Sequence, residues 1–171
     1  KINIFSKPKT LKRFQDLEAE ILDSLDKLNI NKISTLFLHD IYDASQLNEE
    51  LCNLIFLLSN HSLIDSIGLS LYCTNNIINS NLENINVLQV PGSILDQRAL
   101  TYIEKFNLIN KFEIHVRSIF LQGLLATDSS PENINIPKKL KVLLSEYQKI
   151  AIKYNLKPLE LALSFLNHKS I

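Results

Sequence analysis

Short apolar runs alternate with longer amphipathic segments along most of the chain. The apolar runs are nearly free of polar residues, as expected for strands that are buried on both faces. The segments between them repeat large apolar residues at three- and four-residue spacing, which predicts helices. The predicted strands are Ile2–Ser6, Ile33–Leu38, Ile64–Leu71, Ile85–Val90 and Phe112–Val116. The predicted helices are Leu11–Leu28, Leu47–Leu58, a short turn at Asn75–Leu82, and Leu95–Phe106.

The segment after the fifth predicted strand has a different pattern. Asp128–Pro137 is polar and rich in turn-forming residues, so it predicts a surface loop. Pro137 stands where a helix can begin, because the first helical turn does not use the N–H that proline lacks. Helices are predicted over Leu140–Tyr154 and Leu159–Leu166.

Strands that alternate with helices predict a parallel sheet joined by right-handed crossovers. The fold class is therefore α/β, with five parallel strands and intervening helices. The spacing of the strands fits an arc of a TIM (β/α)8 barrel and fits an open doubly wound sheet nearly as well. Five strands cannot close an eight-stranded barrel, so periodicity leaves these two architectures open.

Composition excludes several classes of function. The 171 residues are 46% hydrophobic, and the 18 basic and 18 acidic residues are interleaved without a basic face, so no nucleic acid partner is expected. No apolar run approaches the roughly 20 residues of a membrane span, so no membrane partner is expected either. Cys52 and Cys73 form no CxxC motif or disulfide framework, which favours a reducing, cytoplasmic setting. The chain has no Met and opens on a strand-like run, so we expect a piece of a longer protein.

Polar residues lie at the carboxyl ends of the predicted strands, where parallel α/β folds bind their ligands. A cation, an imidazole, hydroxyls and a carboxamide at one rim suit an electron-rich substrate or a cofactor. These residues are Lys7, His39, Asp40, Ser70, Gln89, Arg117 and Ser118.

Each of these residues also has an ordinary structural interpretation. A lone lysine after a strand is usually solvated, and a histidine such as His39 caps a sheet about as often as it does chemistry. Ser70 and Gln89 are also suited to satisfying backbone groups, and Arg117 to pairing with a nearby carboxylate. For His115, inside a predicted strand, a packed structural role is favoured.

Familiar phosphate, metal and nucleophile motifs are missing from the sequence. There is no GxGxxG, P-loop, HExxH or GxSxG. With three glycines in the chain, a glycine-cradled phosphate site is excluded within this stretch, and no metal is expected.

Four motifs, in their order and spacing, resemble the aldo/keto reductase family: Phe37–Asp40, Ile67–Ser70, Val87–Pro91 and Val116–Leu125, preceded by Lys7. The resemblance implies an eight-stranded β/α barrel, of which these runs would be approximately the third to seventh strands. Residues 1–171 would then form one domain, an incomplete barrel without its N-terminal strands and its last strand.

The resemblance also implies an activity, the reduction of an aldehyde or ketone with NADPH, with NADH not excluded.

By position, Lys7 and His39 look like the family's catalytic lysine and histidine. Ser70 and Gln89 look like the groups that hold the nicotinamide carboxamide. The other implied cofactor contacts are Arg117, where many members have a stacking aromatic residue, and Ser118, Phe120 and Gln122 in the pyrophosphate loop. The family's aspartate and tyrosine would precede Lys1, so the isolated fragment is expected to be inactive.

Three hypotheses of function follow. The first is a cytoplasmic NADPH-dependent carbonyl reductase whose partner is a small-molecule carbonyl substrate. The second is a non-catalytic barrel that serves as a cofactor-binding regulatory or interaction module, motivated by Arg117 and by Leu71, where the family often has asparagine. The third is an open α/β sheet of another class, such as a phosphate-ester or sugar-binding domain, which the order of the strands would distinguish. The sequence does not set the oligomeric state.

Overall fold

The computed structural model describes residues 5–6, 14–41, 49–74, 77–79 and 82–168, without the side chains of 5–6, 14–17, 39–41, 50 and 79. The strands are β1 (Phe5–Ser6), β2 (Ile33–Ile41), β3 (Ile64–Leu71), β4 (Val87–Pro91) and β5 (Glu113–Arg117). The helices are α1 (Phe14–Leu28), α2 (Glu49–Ser59), α3 (Arg98–Lys105), α4 (Lys138–Lys153) and α5 (Pro158–His168).

The five strands form one sheet in the order β1-β2-β3-β4-β5. β2 pairs in parallel with β1 and β3, and β3 pairs in parallel with β4. A doubly wound sheet would reverse its strand order at a switch point, whereas a barrel adds strands consecutively. The predicted fold, an α/β chain that forms part of a (β/α) barrel, is confirmed.

Several element boundaries differ from those predicted, each for a local reason. β3 has the predicted bounds, but β2 continues to Ile41 because it resumes pairing with β3 beyond an irregularity. α3 begins at Arg98 rather than Leu95 because Ser93 and Asp96 close a tight turn. In that turn the Ser93 N–H donates to the Asp96 carbonyl at 2.9 Å, and the Asp96 N–H donates to Ser93 Oγ at 3.0 Å.

Asparagine ends two of the helices. Asn29 after α1 and Asn155 after α4 have φ of 51° and 53°. These angles lie in the left-handed region, which asparagine tolerates better than most residues. The following N–H groups, of Ile30 and Leu156, donate back five residues to Leu25 and Ala151 at 3.1 and 2.9 Å. These are Schellman caps, which satisfy carbonyls that the helix leaves without a partner.

Within the described ranges, no helix has the length and apolar composition needed to cross a bilayer.

The chain divides into two compact units. The sheet unit comprises Lys1–Val90 and Ala99–His115, and the helical unit comprises Pro91–Arg98 and Val116–Ile171. Large side chains of the sheet unit are fully buried, among them Phe37, Leu38, Leu58, Leu69 and Leu88. The helical unit has a smaller core of Leu125, Leu144, Tyr147 and Ala162. That residues 1–171 form a single domain stays a prediction.

Candidate functional site

The strand β2 carries an irregularity at His39 and Asp40. Leu38 pairs with Leu69 and Ile41 with Leu71, so the two residues between them on β2 stand opposite the single residue Ser70. Bulges of this kind bend a strand and re-aim its side chains, and they are common beside active sites. The predicted histidine therefore lies at an irregular position next to Ser70. The structure describes its backbone but not its side chain.

Ser70 and Gln89 are brought together by the register of β3 and β4. They are directly paired, and Ser70 Oγ donates a hydrogen bond to Gln89 Oε1 at 3.2 Å. Ser70 is 1% exposed, so its hydroxyl has been removed from water and requires a polar partner there. The pair combines a hydroxyl with an amide, a set of donors and acceptors whose chemistry fits a carboxamide ligand. Leu71, next along β3, is fully buried and apolar.

A second polar pair lies on the same face, toward the start of the strands. Thr35 of β2 and Ser66 of β3 are paired in register, and their hydroxyl oxygens are 2.7 Å apart. Ser66 also donates to the backbone carbonyl of Ser34 at 2.9 Å. Because side chains two residues apart on a strand share a face, Ser66, Gly68 and Ser70 lie along one row.

His115 on β5 takes part in contacts within the sheet unit. Its Nε2 lies 2.7 Å from Glu113 Oε1, and its ring centroid lies 5.6 Å from that of Phe37 at an angle of 51°. Phe37 belongs to β2, which is not a neighbour of β5 in the sheet. The contact therefore reaches across the face between two non-adjacent strands. It agrees with a packed histidine, the role that the sequence favours.

The other predicted cofactor residues, Arg117 to Gln122, belong to the helical unit. Arg117 ends β5, and its carbonyl accepts a hydrogen bond from the Gly92 N–H at 3.0 Å. In the turn that follows, Ser118, Leu121 and Gln122 have φ of 62°, 44° and 55°, and Gly123 has φ of 94°. A non-glycine residue with positive φ is uncommon, and three of them in one turn indicate a constrained backbone.

Phe120, which was predicted to contact the pyrophosphate, packs against the core of the helical unit. It is half-buried and lies against the cluster that contains Leu125, Leu144 and Tyr147. This packing gives the turn an apolar anchor. The predicted contact of Phe120 with a cofactor stays a prediction, as do those of Ser118 and Gln122, which are exposed.

Tyr147 holds the same core together from its centre. Its hydroxyl reaches the carbonyl oxygens of Leu125, at 3.1 Å, and of Pro158. Burial raises the pKa of this phenol to about 12. The single hydroxyl proton is shared between these two carbonyls, and the surroundings of Tyr147 are structural.

The predicted site residues therefore fall into three groups. Ser70 and Gln89 are in contact, with His39 beside Ser70 along the paired strands. Arg117, Ser118, Phe120 and Gln122 lie in or next to one constrained turn. Lys7 lies outside the described residues. Sequence patterns did not single out Gly68, although a glycine inside an otherwise apolar strand signals a close approach by a neighbouring side chain.

Several solved structures superpose on most of this chain. Glycerol dehydrogenase AKR11B4 from Gluconobacter oxydans superposes with a TM-score of 0.70 at 16% identity, covering 98% of this chain and 60% of its own. Aldo-keto reductase AKR11C1 from Bacillus halodurans, in its holo form, gives a TM-score of 0.64 at 25% identity, with 84% and 51% covered. The fold is that of the aldo-keto reductases. A third aldo-keto reductase, the silkworm AKR2E5 in complex with NADPH, gives a TM-score of 0.64 at 18% identity, covering 98% of this chain and 53% of its own.

The resemblance predicted from the four motifs is thereby confirmed. The chain spans roughly half to three fifths of the length of these aldo-keto reductases. No protein-family model and no curated protein matches the sequence. The likeness to the family is therefore one of three-dimensional structure, supported by the motifs at the strand ends.

Proposed function

We propose that the protein containing this chain is an oxidoreductase that reduces an aldehyde or ketone with NADPH. The observation that carries the proposal is the hydrogen bond between Ser70 and Gln89, at the carboxyl ends of two adjacent parallel strands. In parallel α/β folds this is the end that binds ligands. The names of the superposed proteins support the reaction class, and one of them is bound to NADPH.

In this proposal the residues of the chain have distinct tasks. Ser70 and Gln89 hold the nicotinamide carboxamide, because an amide ligand needs both a donor and an acceptor in fixed places. His39 orients the substrate carbonyl, and Lys7 lowers the pKa of a tyrosine that lies outside these residues, since a nearby cation favours the phenolate. Arg117, Ser118, Phe120 and Gln122 contact the rest of the cofactor. The bound nicotinamide supplies the hydride.

Cofactor binding by the full-length protein is the decisive experiment. NADPH and NADH are titrated in parallel by calorimetry, with wild type and Ser70→Ala. We expect wild type to bind at micromolar concentrations. Ser70→Ala should weaken binding about three- to tenfold, the equivalent of one neutral hydrogen bond of about 0.5–1.5 kcal/mol. Wild type that binds neither nucleotide would refute the proposal.

Ser66→Ala is the matched control for this substitution. Ser66 lies on the same strand and face as Ser70 and also bonds across to the neighbouring strand, at its Thr35. Its removal should lower the stability of the sheet and leave the Kd for the cofactor unchanged. Equal effects of the two variants on the Kd would mean that Ser70 acts only through the sheet.

A panel of small aldehydes and ketones then separates reduction from binding alone. Oxidation of NADPH in the presence of any of these carbonyl compounds supports the reductase. Tight cofactor binding with no turnover on the whole panel would instead favour the non-catalytic alternative, a barrel that senses or presents the cofactor. Leu71 favours that alternative to a limited extent, because its buried apolar side chain adds no hydrogen bond beside Ser70.

A further inference from the structure

We propose that Phe37 is a positioning residue for the cofactor, a role that rests on the proposed function. Its ring lies one layer below the Ser70–Gln89 pair on the same face of the sheet, and it sets how closely a nicotinamide can approach that face. Gly68 provides the space for the ring, and His115 supports it from across the sheet.

The register of the sheet fixes where Phe37 lies. It pairs with Gly68, two residues before Ser70 on β3, and Gly68 in turn pairs with Val87, two residues before Gln89 on β4. Two residues along a strand correspond to about 7 Å, and side chains at that spacing point to the same face. Phe37 therefore occupies the layer directly beneath the hydrogen-bonded pair. It is 0% exposed.

The missing side chain of Gly68 determines the position of the ring. A Cβ atom added to Gly68 would lie 2.6 Å from Cε1 and 2.7 Å from Cδ1 of Phe37. Carbon atoms in van der Waals contact are about 3.5–4.0 Å apart, so no side chain fits at residue 68 while the ring stays in place. The backbone carbonyl oxygen of Val87 lies 3.2 Å from the same added Cβ atom, so the Cβ would be crowded by β4 as well as by the ring. The ring therefore lies against the bare backbone of Gly68, two residues before Ser70 on β3.

His115 limits the movement of the ring. The tilted contact, with ring centroids 5.6 Å apart, is within the range of favourable aromatic pairs. The imidazole is itself held by Glu113, two residues earlier on β5. Phe37 thus contacts Gly68 of β3 and His115 of β5. A residue that defines the depth of a site has to be held in place in this way.

The inference is tested by separating the nicotinamide from the rest of the cofactor. Full-length wild type, Phe37→Leu and Gly68→Ala are titrated with NADPH and with 2′-phospho-ADP-ribose, which lacks only the nicotinamide. Both variants should bind NADPH about three- to tenfold more weakly, which is the size of an aromatic contact, and bind the fragment as wild type does. A variant that merely loosens the sheet would lose affinity for both ligands.

Phe112→Leu is the matched control, because Phe112 is also a buried phenylalanine of the sheet unit, at 4% exposed, and lies outside the proposed site. It should lower the melting temperature and leave both affinities unchanged. If Phe37→Leu behaves in the same way, or weakens both ligands equally, the positioning role is wrong although the reductase proposal stands. If Gly68→Ala does not fold, the affinities of Phe37→Leu for the two ligands alone test the positioning role. Wild type that binds no NADPH refutes the proposed function itself.

Discussion

Leu88 in β4 and Tyr147 in α4 are both buried, yet they contribute to their units in different ways. Leu88 is 0% exposed and offers only carbon atoms to its neighbours. Tyr147 is 3% exposed, and its hydroxyl reaches two backbone carbonyls, of Leu125 and Pro158. At Leu88 the sheet unit relies on apolar contact alone, whereas at Tyr147 the helical unit also uses a side-chain hydrogen bond to its backbone.

The backbone explains this difference. Strands satisfy each other's N–H and C=O groups, so the side chains of a sheet are free to be apolar. The turns after β5 have no such ladder, and their carbonyls are bonded instead by side chains of α4, among them Lys141, Tyr147 and Gln148. These three polar side chains of α4 are therefore explained by structure. Ser70 and Gln89, which bond to each other at the carboxyl ends of their strands, are better candidates for function.

The largest expected effect is the loss of an apolar side chain from the sheet. Leu88→Ala should lower the free energy of unfolding by about 2–5 kcal/mol, because it removes buried carbon and leaves a cavity. Urea denaturation of the full-length protein measures this change. The control is Leu57→Ala, at a position on α2 that is 50% exposed. It should change the free energy of unfolding by about 0.5 kcal/mol at most. Similar losses in the two variants would mean that apolar burial does not dominate the sheet unit.

Removal of one hydroxyl from the helical unit should have an intermediate effect. Tyr147→Phe keeps the ring and leaves two buried carbonyls without this donor, which should cost about 1–3 kcal/mol. The same denaturation experiment measures it, with Tyr154→Phe, at a site 64% exposed, as the control. If Tyr147→Phe leaves the free energy of unfolding unchanged, the contrast between the helical unit and the sheet unit is wrong.

Alkaline pH tests the same hydroxyl independently. The pKa of Tyr147 is raised from its ordinary value of 10.0 to about 12, so the folded protein retains a proton that the unfolded chain releases. The contribution is complete below a pH of about 10 and is lost as the pH rises toward about 12, so the free energy of unfolding should fall in that window. Tyr147→Phe should remove this part of the pH dependence, and Tyr154→Phe should not.

Sequence patterns predicted the strands of this fold well because buried parallel strands are marked by continuous apolar runs. The bounds of β3 were predicted without error, and those of β4 and β5 within two residues. The irregularity at His39 and Asp40 depends on how β2 and β3 pair, and no local pattern records it. The start of α3 was predicted too early because the Ser93–Asp96 turn continues the apolar spacing without being helical.

The candidate site was predictable only in part for the same reason. The rule that ligands bind at the carboxyl ends of strands selects Ser70 and Gln89 from the sequence. That they hydrogen-bond to each other follows from the register of two strands, which pairs residues nineteen positions apart. The contact of Phe37 with Gly68 joins β2 to β3, and that with His115 joins β2 to β5, so neither is visible in any one segment. The roles assigned to all these residues stay predictions until binding is measured.

The smallest expected effect is local and concerns Gln148, half-buried on α4. Its Nε2 donates to the carbonyls of Thr127 at 3.3 Å and Ser129 at 2.9 Å, and so joins the turn after β5 to the helix. Gln148→Ala should cost only about 0.5–1.5 kcal/mol, near the lower limit because water can reach these carbonyls. Amide hydrogen exchange should nevertheless accelerate across residues 127–130, since local opening requires less free energy than global unfolding. Lys149→Ala, which removes an exposed ion pair with Glu146, should leave that exchange unchanged. If exchange accelerates equally in both variants, the turn does not depend on its side-chain hydrogen bonds, and the contrast between the two units is limited to Tyr147.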